Sequence, residues 1–216
     1  LKRGYHHGNL RSALLKAAAQ MISEGGVGKV TMRALSDRIG VSRTALYQHF
    51  KNKNDLLSAV AADSYAGLKS RLHEIRSDDS SDLVSRLHDM SVAYVNFALE
   101  NPDPYKLMFG DEVLKDGVSP ELSAASLSAY DELISLIEIC QKEKRIAGED
   151  PLSVANVFWA MCHGLSMLLL SGQIQVSYRI IRIPVMNIQG RAEDLDNIQR
   201  FIHYSVQSLL SGIVLE

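Results

Sequence analysis

The chain has 216 residues, a length that fits one large domain or two small ones and exceeds what a single small DNA-binding module would use. With 46% hydrophobic and 22% charged residues, 5 Pro and 14 Gly, the composition is ordinary for a globular protein and excludes a collagen-like, repetitive or disordered chain. The net charge of −2 hides a polarity: residues 1–60 carry ten Lys or Arg against three acids, a balance of +7, whereas the remaining 13 basic and 22 acidic residues give −9. A segment that basic is expected to seek a polyanion.

Cys140 and Cys162 stand in apolar helical stretches without Cys-x-x-Cys spacing, so neither a disulfide framework nor a zinc site is expected, and a cytoplasmic location suits them. The longest apolar stretch, 157–170, is interrupted by His163, Gly164 and Ser166, and no membrane span is expected. No apolar secretory core follows the opening Leu-Lys-Arg-Gly-Tyr-His-His-Gly, so no signal peptide is read there.

Asn9 is expected to cap a first helix whose apolar positions Leu10, Leu14, Ala17, Ala18, Met21 and Ile22 recur at three-and-four spacing until Gly25 and Gly26. Thr31 caps a second, short helix that turns Met32, Leu35 and Ile39 inward and stops at Gly40, where a left-handed turn residue is needed. Ser42 caps a third over 43–50, with Leu46, Tyr47 and Phe50 as its larger apolar side chains. A longer helix follows Lys53, with Leu57, Val60, Ala61, Ser64, Leu68, Leu72 and Ile75 along one side, and the charge-rich 76–81 ends it. The next runs from Leu83 to Asn101-Pro102, and 104–109 forms a short helix closed by Gly110. Ser119-Pro120 opens a helix that lasts until Ala147-Gly148.

Asp150-Pro151 starts a helix that is apolar nearly all round to Leu170, and a last helix over 194–210 has a similarly wide stripe. A surface helix needs only one apolar face, so these two predict a central position or a homodimer contact through 151–170 and 194–210. Between them, 173–189 alternates with a period of two, is β-branched and basic, and contains Pro184, which reads as a short extended excursion or a loop.

The run 31–53, TMRALSDRIGVSRTALYQHFKNK, meets the requirements of a helix-turn-helix: Ser36 is the small residue where two helices cross, Gly40 the turn, and Leu35, Ile39, Val41 and Leu46 the apolar lock. Arg43, Thr44, Ala45, Gln48 and His49 are left facing outward, as a recognition helix needs in a major groove. The helix starts at Thr31 and Ser42 offer backbone N–H groups to phosphates, with Arg33, Tyr47, Lys51 and Lys53 beside them.

The residues from Gly40 to Phe50, with Lys53 and Leu56-Leu57 behind them and Tyr5-His6-His7-Gly8-Asn9-Leu10-Arg11 and Glu24-Gly25-Gly26 ahead, closely resemble the DNA-binding domain of the TetR family of bacterial transcriptional repressors. Trp159-x-x-x-His163-Gly164 resembles the mark of a subgroup with a Trp-His-Gly C-terminal domain. The resemblance implies an all-α homodimer with a DNA-binding domain at 1–52 and a helical ligand-binding and dimerisation domain at 53–216. It further implies that Thr31 and Ser42 bond phosphates, that Arg43, Thr44 and Ala45 face bases, and that Tyr47, His49 and Lys53 mostly grip the backbone. Ser36 in place of the commoner Ala, and Asn54 where an acid is frequent, are mild departures.

Several motifs lead elsewhere and are set aside. Gly25-Gly26-Val27-Gly28-Lys29 lacks the Ser or Thr and the preceding strand of a phosphate loop. His6-His7 has no further ligands at metal spacing, and no metal or cofactor is expected. His73-Glu74 and His88-Asp89 are read as solvated pairs pointing to different sides of their helices. Tyr94, Phe97, Tyr105, Phe109, Tyr130, Trp159 and His163 are the candidate lining of an apolar effector pocket, although each also suits ordinary core. No nucleophile elbow, HExxH or paired carboxylates give an enzyme anything to work with. With these set aside, the resemblance implies a ligand-responsive regulator, a repressor, with three partners: an operator duplex, a second copy of itself and a small-molecule effector. A helical enzyme or a DNA-independent dimeric module is the rival reading.

Overall fold

The computed structural model describes residues 7–115, 117–148, 150–174 and 192–215, with side chains from residue 10 and, in the last stretch, from 195. Its helices are α1 (His7–Gly25), α2 (Met32–Ile39), α3 (Arg43–Tyr47), α4 (Lys53–Arg76), α5 (Leu83–Glu100), α6 (Pro102–Met108), α7 (Asp111–Leu114), α8 (Pro120–Lys142), α9 (Pro151–Leu170) and α10 (Ala192–Leu210). The fold is all-α, and a 3-10 turn, Val27–Lys29, joins α1 to α2. The chain divides into two compact units: one runs up to Gly67 and adds Asp103–Leu127, and the other holds Leu68–Pro102 with Ser128 onward.

The first unit is built round α1, whose Leu14, Ala18 and Ile22 have no exposed surface, packed with Leu35, Leu46, Phe50 and the start of α4. The helix begins two residues before the expected cap, so Asn9 lies inside its first turn. Thr31 and Ser42 do cap α2 and α3: their hydroxyls accept from the N–H of Ala34 at 3.0 Å and of Ala45 at 3.1 Å. Gly40 ends α2 with φ 75° and ψ 33°, left-handed geometry that a residue with a Cβ adopts only at a cost.

The third helix is shorter than its predicted 43–50. After Tyr47 the N–H groups of His49 and Phe50 both turn to the Leu46 carbonyl, at 3.0 and 3.1 Å, and this tightened end carries the Phe50 ring inward until only 1% of it is exposed. The short helix α6 starts two residues earlier than predicted, and α7 was not anticipated.

In the second unit α5 packs against both α9 and α10. Asp150 caps α9 by accepting from the N–H groups of Leu152 and Ser153, with Pro151 at the first helical position. By length and composition α9 is apolar enough to cross a membrane, although its inner face of Ala155, Phe158, Cys162, Leu165 and Leu169 is buried within its own unit, as in a core helix. Val157, Met167 and Leu168 remain exposed on the other side. On α10 the wide stripe is used mostly at home: Ile198, Ile202, Val206 and Leu210 are buried and Phe201 and Leu209 half-buried, while Leu195 is exposed along with Asp196, Arg200, His203, Tyr204 and Gln207.

The helix predicted to last until Ala147 ends at Lys142. Lys144 takes φ 54°, and the chain pairs with the C-terminus through a single antiparallel bridge, Ile146 with Val214. Both cysteines are buried, and burial pushes their thiols up, to about 11 for Cys140 and about 12 for Cys162, so they are inert apolar fillers. The predicted excursion at 173–189 lies, from residue 175 on, outside the described residues.

Two expectations need correction. His73 is not simply solvated: with Arg76, three residues on along the same helix face, it meets the buried Glu132 of α8, at 3.2 Å from His73 Nδ1 and 2.6 Å from Arg76 Nε. Nor do His88 and Asp89 point apart, because Nδ1 of His88 lies 2.9 Å from Oδ1 of Asp89, and the ring packs against His203 of α10. Partners far along the chain fix these rings, so adjacency in sequence was a poor guide.

Candidate nucleic-acid interface

The geometry of α2 and α3 separates one buried side from one open side. Leu35, Ser36 and Leu46 are buried, and Ser36 at the crossing satisfies its hydroxyl by donating to the Arg33 carbonyl at 2.8 Å. On the open side Thr31, Arg33, Ser42, Arg43, Thr44, Tyr47 and Gln48 are exposed, with Tyr47 at 51%, while Ala45 and His49 are half-buried. Every side chain predicted to read or grip a duplex therefore comes from one short stretch, and the two capped helix starts lie within it.

Two of the expected cations are tied up. Lys53, at the start of α4, donates from Nζ to the Val27 carbonyl at 2.9 Å, which pins that helix to the 3-10 turn. Arg33 lies 3.8 Å from Asp37 in an exposed pair that water weakens. Of the other basic residues, Arg38 makes a two-pronged pair with Glu24 at 2.6 and 2.7 Å, and this hydrogen bonding holds the Glu24 carboxyl below its ordinary range. Arg11 grips Glu121 with both bonds at 2.8 Å and lies over the Phe50 ring. The basic excess of the first 60 residues is thus partly structural.

The predicted pocket residues fall into separate groups. In the first unit Tyr105 and Phe109 stand edge to face at 5.2 Å, joined by Tyr65 of α4 at 5.9 Å from Phe109, and burial, then Tyr105, raises the pKa of the Tyr65 hydroxyl. Tyr65 escaped the sequence reading, although it lies one turn beyond Ala61 on the same side of α4. In the second unit Tyr94 and Phe97 are buried on α5, with Arg71 over the Phe97 ring. Tyr130 and Trp159 meet edge to face at 5.8 Å, His163 follows Trp159 at 6.3 Å, and the Tyr130 hydroxyl donates to Asn156 at 2.7 Å. Trp159 is 41% exposed, and half-burial lowers the His163 pKa below the ordinary imidazole value.

A capped helix pair crossing at a small residue, turned by a left-handed glycine and open on its basic face, defines a helix-turn-helix protein. Residues 14–60 match the family described as bacterial regulatory proteins, tetR family, and 87–181 match the tetracyclin repressor-like C-terminal domain. The chain belongs to the tetR family of DNA-binding transcription regulators, which are not enzymes.

Among its relatives, the nucleoid occlusion factor SlmA of Sodalis glossinidius is 28% identical over 163 residues, 73% of this chain and 81% of that one. SlmA of Vibrio cholerae is 30% identical over 118 residues, 51% and 60% of the two chains. The fold is shared with a protein of unknown function from Rhodococcus sp. RHA1, at TM-score 0.79 and 24% identity over 99% of this chain and 100% of the other. It is shared also with a TetR-family transcriptional regulator from Pectobacterium atrosepticum, at TM-score 0.70 and 22% identity over 97% and 96%.

Proposed function

We propose that the chain is a ligand-responsive repressor that binds a palindromic operator as a homodimer and leaves it when a small molecule binds. The observation that carries this reading is the open face of α3: Arg43 and Thr44 are exposed while Leu46 and Phe50, on the opposite side, are buried. Arg43 suits a guanine edge, and the Thr44 and Ala45 methyl groups suit thymine. Thr31, Arg33, Ser42, Tyr47 and His49 hold the phosphates, and Lys53 steadies the start of α4 rather than reaching far out. Residues 1–52 make this DNA-binding part and 53–216 the effector and dimer part, in a cytoplasmic protein that joins the nucleoid when bound.

The dimer contact rests on α9. Leu152, Val157, Met167 and Leu168 are exposed, and a Cβ at Gly164 would meet open space, so a second helix has room to approach closely. On α10 Leu195 and Tyr204 are exposed among polar side chains, which gives that helix the smaller share. Trp159, His163 and Gly164 lie inside the segment that matches the tetracyclin repressor-like C-terminal domain, a description that names no Trp-His-Gly subgroup. Effector release is a population shift, limited by how differently the effector binds the DNA-competent and released states.

Selection of bound fragments from random duplex DNA tests the reading. An inverted repeat with half-site centres a whole number of turns apart, about 10–10.5 base pairs each, supports it. No enrichment over an Arg43→Ala, Thr44→Ala double variant overturns it.

A further inference from the structure

The geometry points to a divalent transition-metal site between α5 and α10, with His88 and His203 as its ligands and Asp89 as the carboxylate that orients His88. Nε2 of His88 and Nδ1 of His203 are 3.2 Å apart, and the two rings are 26° from parallel with centroids at 5.0 Å. Two imidazole nitrogens on one tetrahedral zinc ion, at about 2.0–2.1 Å each, stand about 3.3–3.4 Å from one another. The nitrogens are therefore already at nearly the separation an ion imposes.

The second shell is in place. Oδ1 of Asp89 lies 2.9 Å from Nδ1 of His88, and a carboxylate can only accept, so the His88 proton sits on Nδ1 and the Nε2 lone pair faces His203. This carboxylate–histidine arrangement fixes the tautomer and raises the basicity of a metal-binding nitrogen. In the metal-free pair His203 Nδ1–H is then the donor. Binding moves that proton to Nε2 of the same ring through water, with no net change in protonation, and frees Nδ1 as a ligand. His203 is exposed and His88 half-buried, and Arg200, the cation one turn before His203, is paired with Asp196.

No group of three or more His, Cys, Asp or Glu side chains able to hold an ion occurs among the described residues, so water completes the coordination. Two nitrogen donors select zinc, nickel, cobalt or copper over calcium or magnesium. The ion would clamp α10 to α5 through ligands 115 residues apart. The site stands independently of the DNA-binding reading.

Zinc titration by calorimetry is the test, made in a His6→Gln, His7→Gln background because those neighbouring histidines compete for the ion. One zinc per chain is expected. His88→Gln or His203→Gln should weaken binding at least tenfold, and Asp89→Asn about tenfold through the second shell. X-ray absorption on the zinc-loaded background protein should count two imidazole nitrogens, a readout that does not depend on how any further variant folds. Absence of zinc binding, affinity unchanged by His203→Gln, or a zinc shell without imidazole would each overturn the site.

Discussion

The helix-turn-helix and the second unit use their polar side chains in opposite ways. Along α2 and α3 the charged and hydroxyl groups mostly face outward, and inside only Ser36 needs a local hydrogen bond. In the second unit they turn to each other: Glu132 meets Arg76 and His73, Gln199 donates to Asn96 at 2.8 Å, Tyr130 to Asn156, and His203 meets His88. The first arrangement leaves its polar groups for a ligand from outside, and the second joins helices to helices. No buried side-chain nitrogen or oxygen among the described residues lacks a partner, so the open face of α3 is not a failure of packing.

The sharpest way to break this contrast is to cut the apolar side of α3. Leu46→Ala, at a position with no exposed surface, is expected to cost about 2–5 kcal/mol through the cavity it leaves. The drop in melting temperature checks it, and a loss below about 1 kcal/mol would mean that α3 is not braced from within.

In the second unit the corresponding cut is Glu132→Gln, which is expected to cost about 1–2 kcal/mol, the worth of charge-assisted hydrogen bonds to a buried carboxylate, because Arg76 keeps some access to water when its partner loses its charge. The pH dependence gives a second readout. Burial raises the Glu132 pKa, but hydrogen bonds from Arg76 and His73 outweigh it and hold the carboxyl below its ordinary value of 4.5. A carboxylate depressed in the folded state adds stability above its unfolded pKa and loses it as pH falls through the folded value. The gap between the wild-type and Glu132→Gln melting temperatures should therefore be full near neutrality and shrink below about pH 4.5. A gap that holds constant down to strong acid would remove the ion pair from the account.

On the outer face of α3, Arg43→Ala should leave the melting temperature nearly unchanged and weaken operator binding by about 1–3 kcal/mol, with relaxed choice at one base pair. Affinity of the wild type for duplex DNA should fall steeply with salt, as phosphate contacts release counterions. A variant that melts early but binds DNA normally would invert the roles assigned to the two sides.

Legibility in the sequence follows the same division. Thr31, Gly40 and Ser42 act within three or four residues of themselves, so their caps and turn could be read from local order, and α9 could be read from Asp150-Pro151 to Leu170. The end of α3 could not, because the inward pull on Phe50 comes from α1 and α4. Glu132 with Arg76 and His88 with His203 join positions 56 and 115 residues apart, and no spacing rule reaches that far. Lys53 was read as a cation gripping the DNA backbone, whereas its bond to the Val27 carbonyl depends on a 3-10 turn that the glycine-rich stretch did not announce. Of the candidate pocket, the residue types were legible, but their distribution over the two units was not.

The smallest expected effect isolates the turn itself. At Gly40 an added Cβ would meet nothing within 4 Å, so Gly40→Ala carries no steric clash and tests only the left-handed backbone, which costs a residue with a side chain about 1–2 kcal/mol. Asn, whose short polar side chain tolerates that region, should cost clearly less than Ala at the same position. Because the face of α3 is untouched, the operator affinity of the folded fraction should stay at the wild-type level in both variants. An Ala variant as stable as the wild type would show that the chain can turn here without positive φ. Equal losses for Ala and Asn would instead remove the left-handed backbone as the cause, since the lost freedom of glycine in the unfolded chain by itself favours folding.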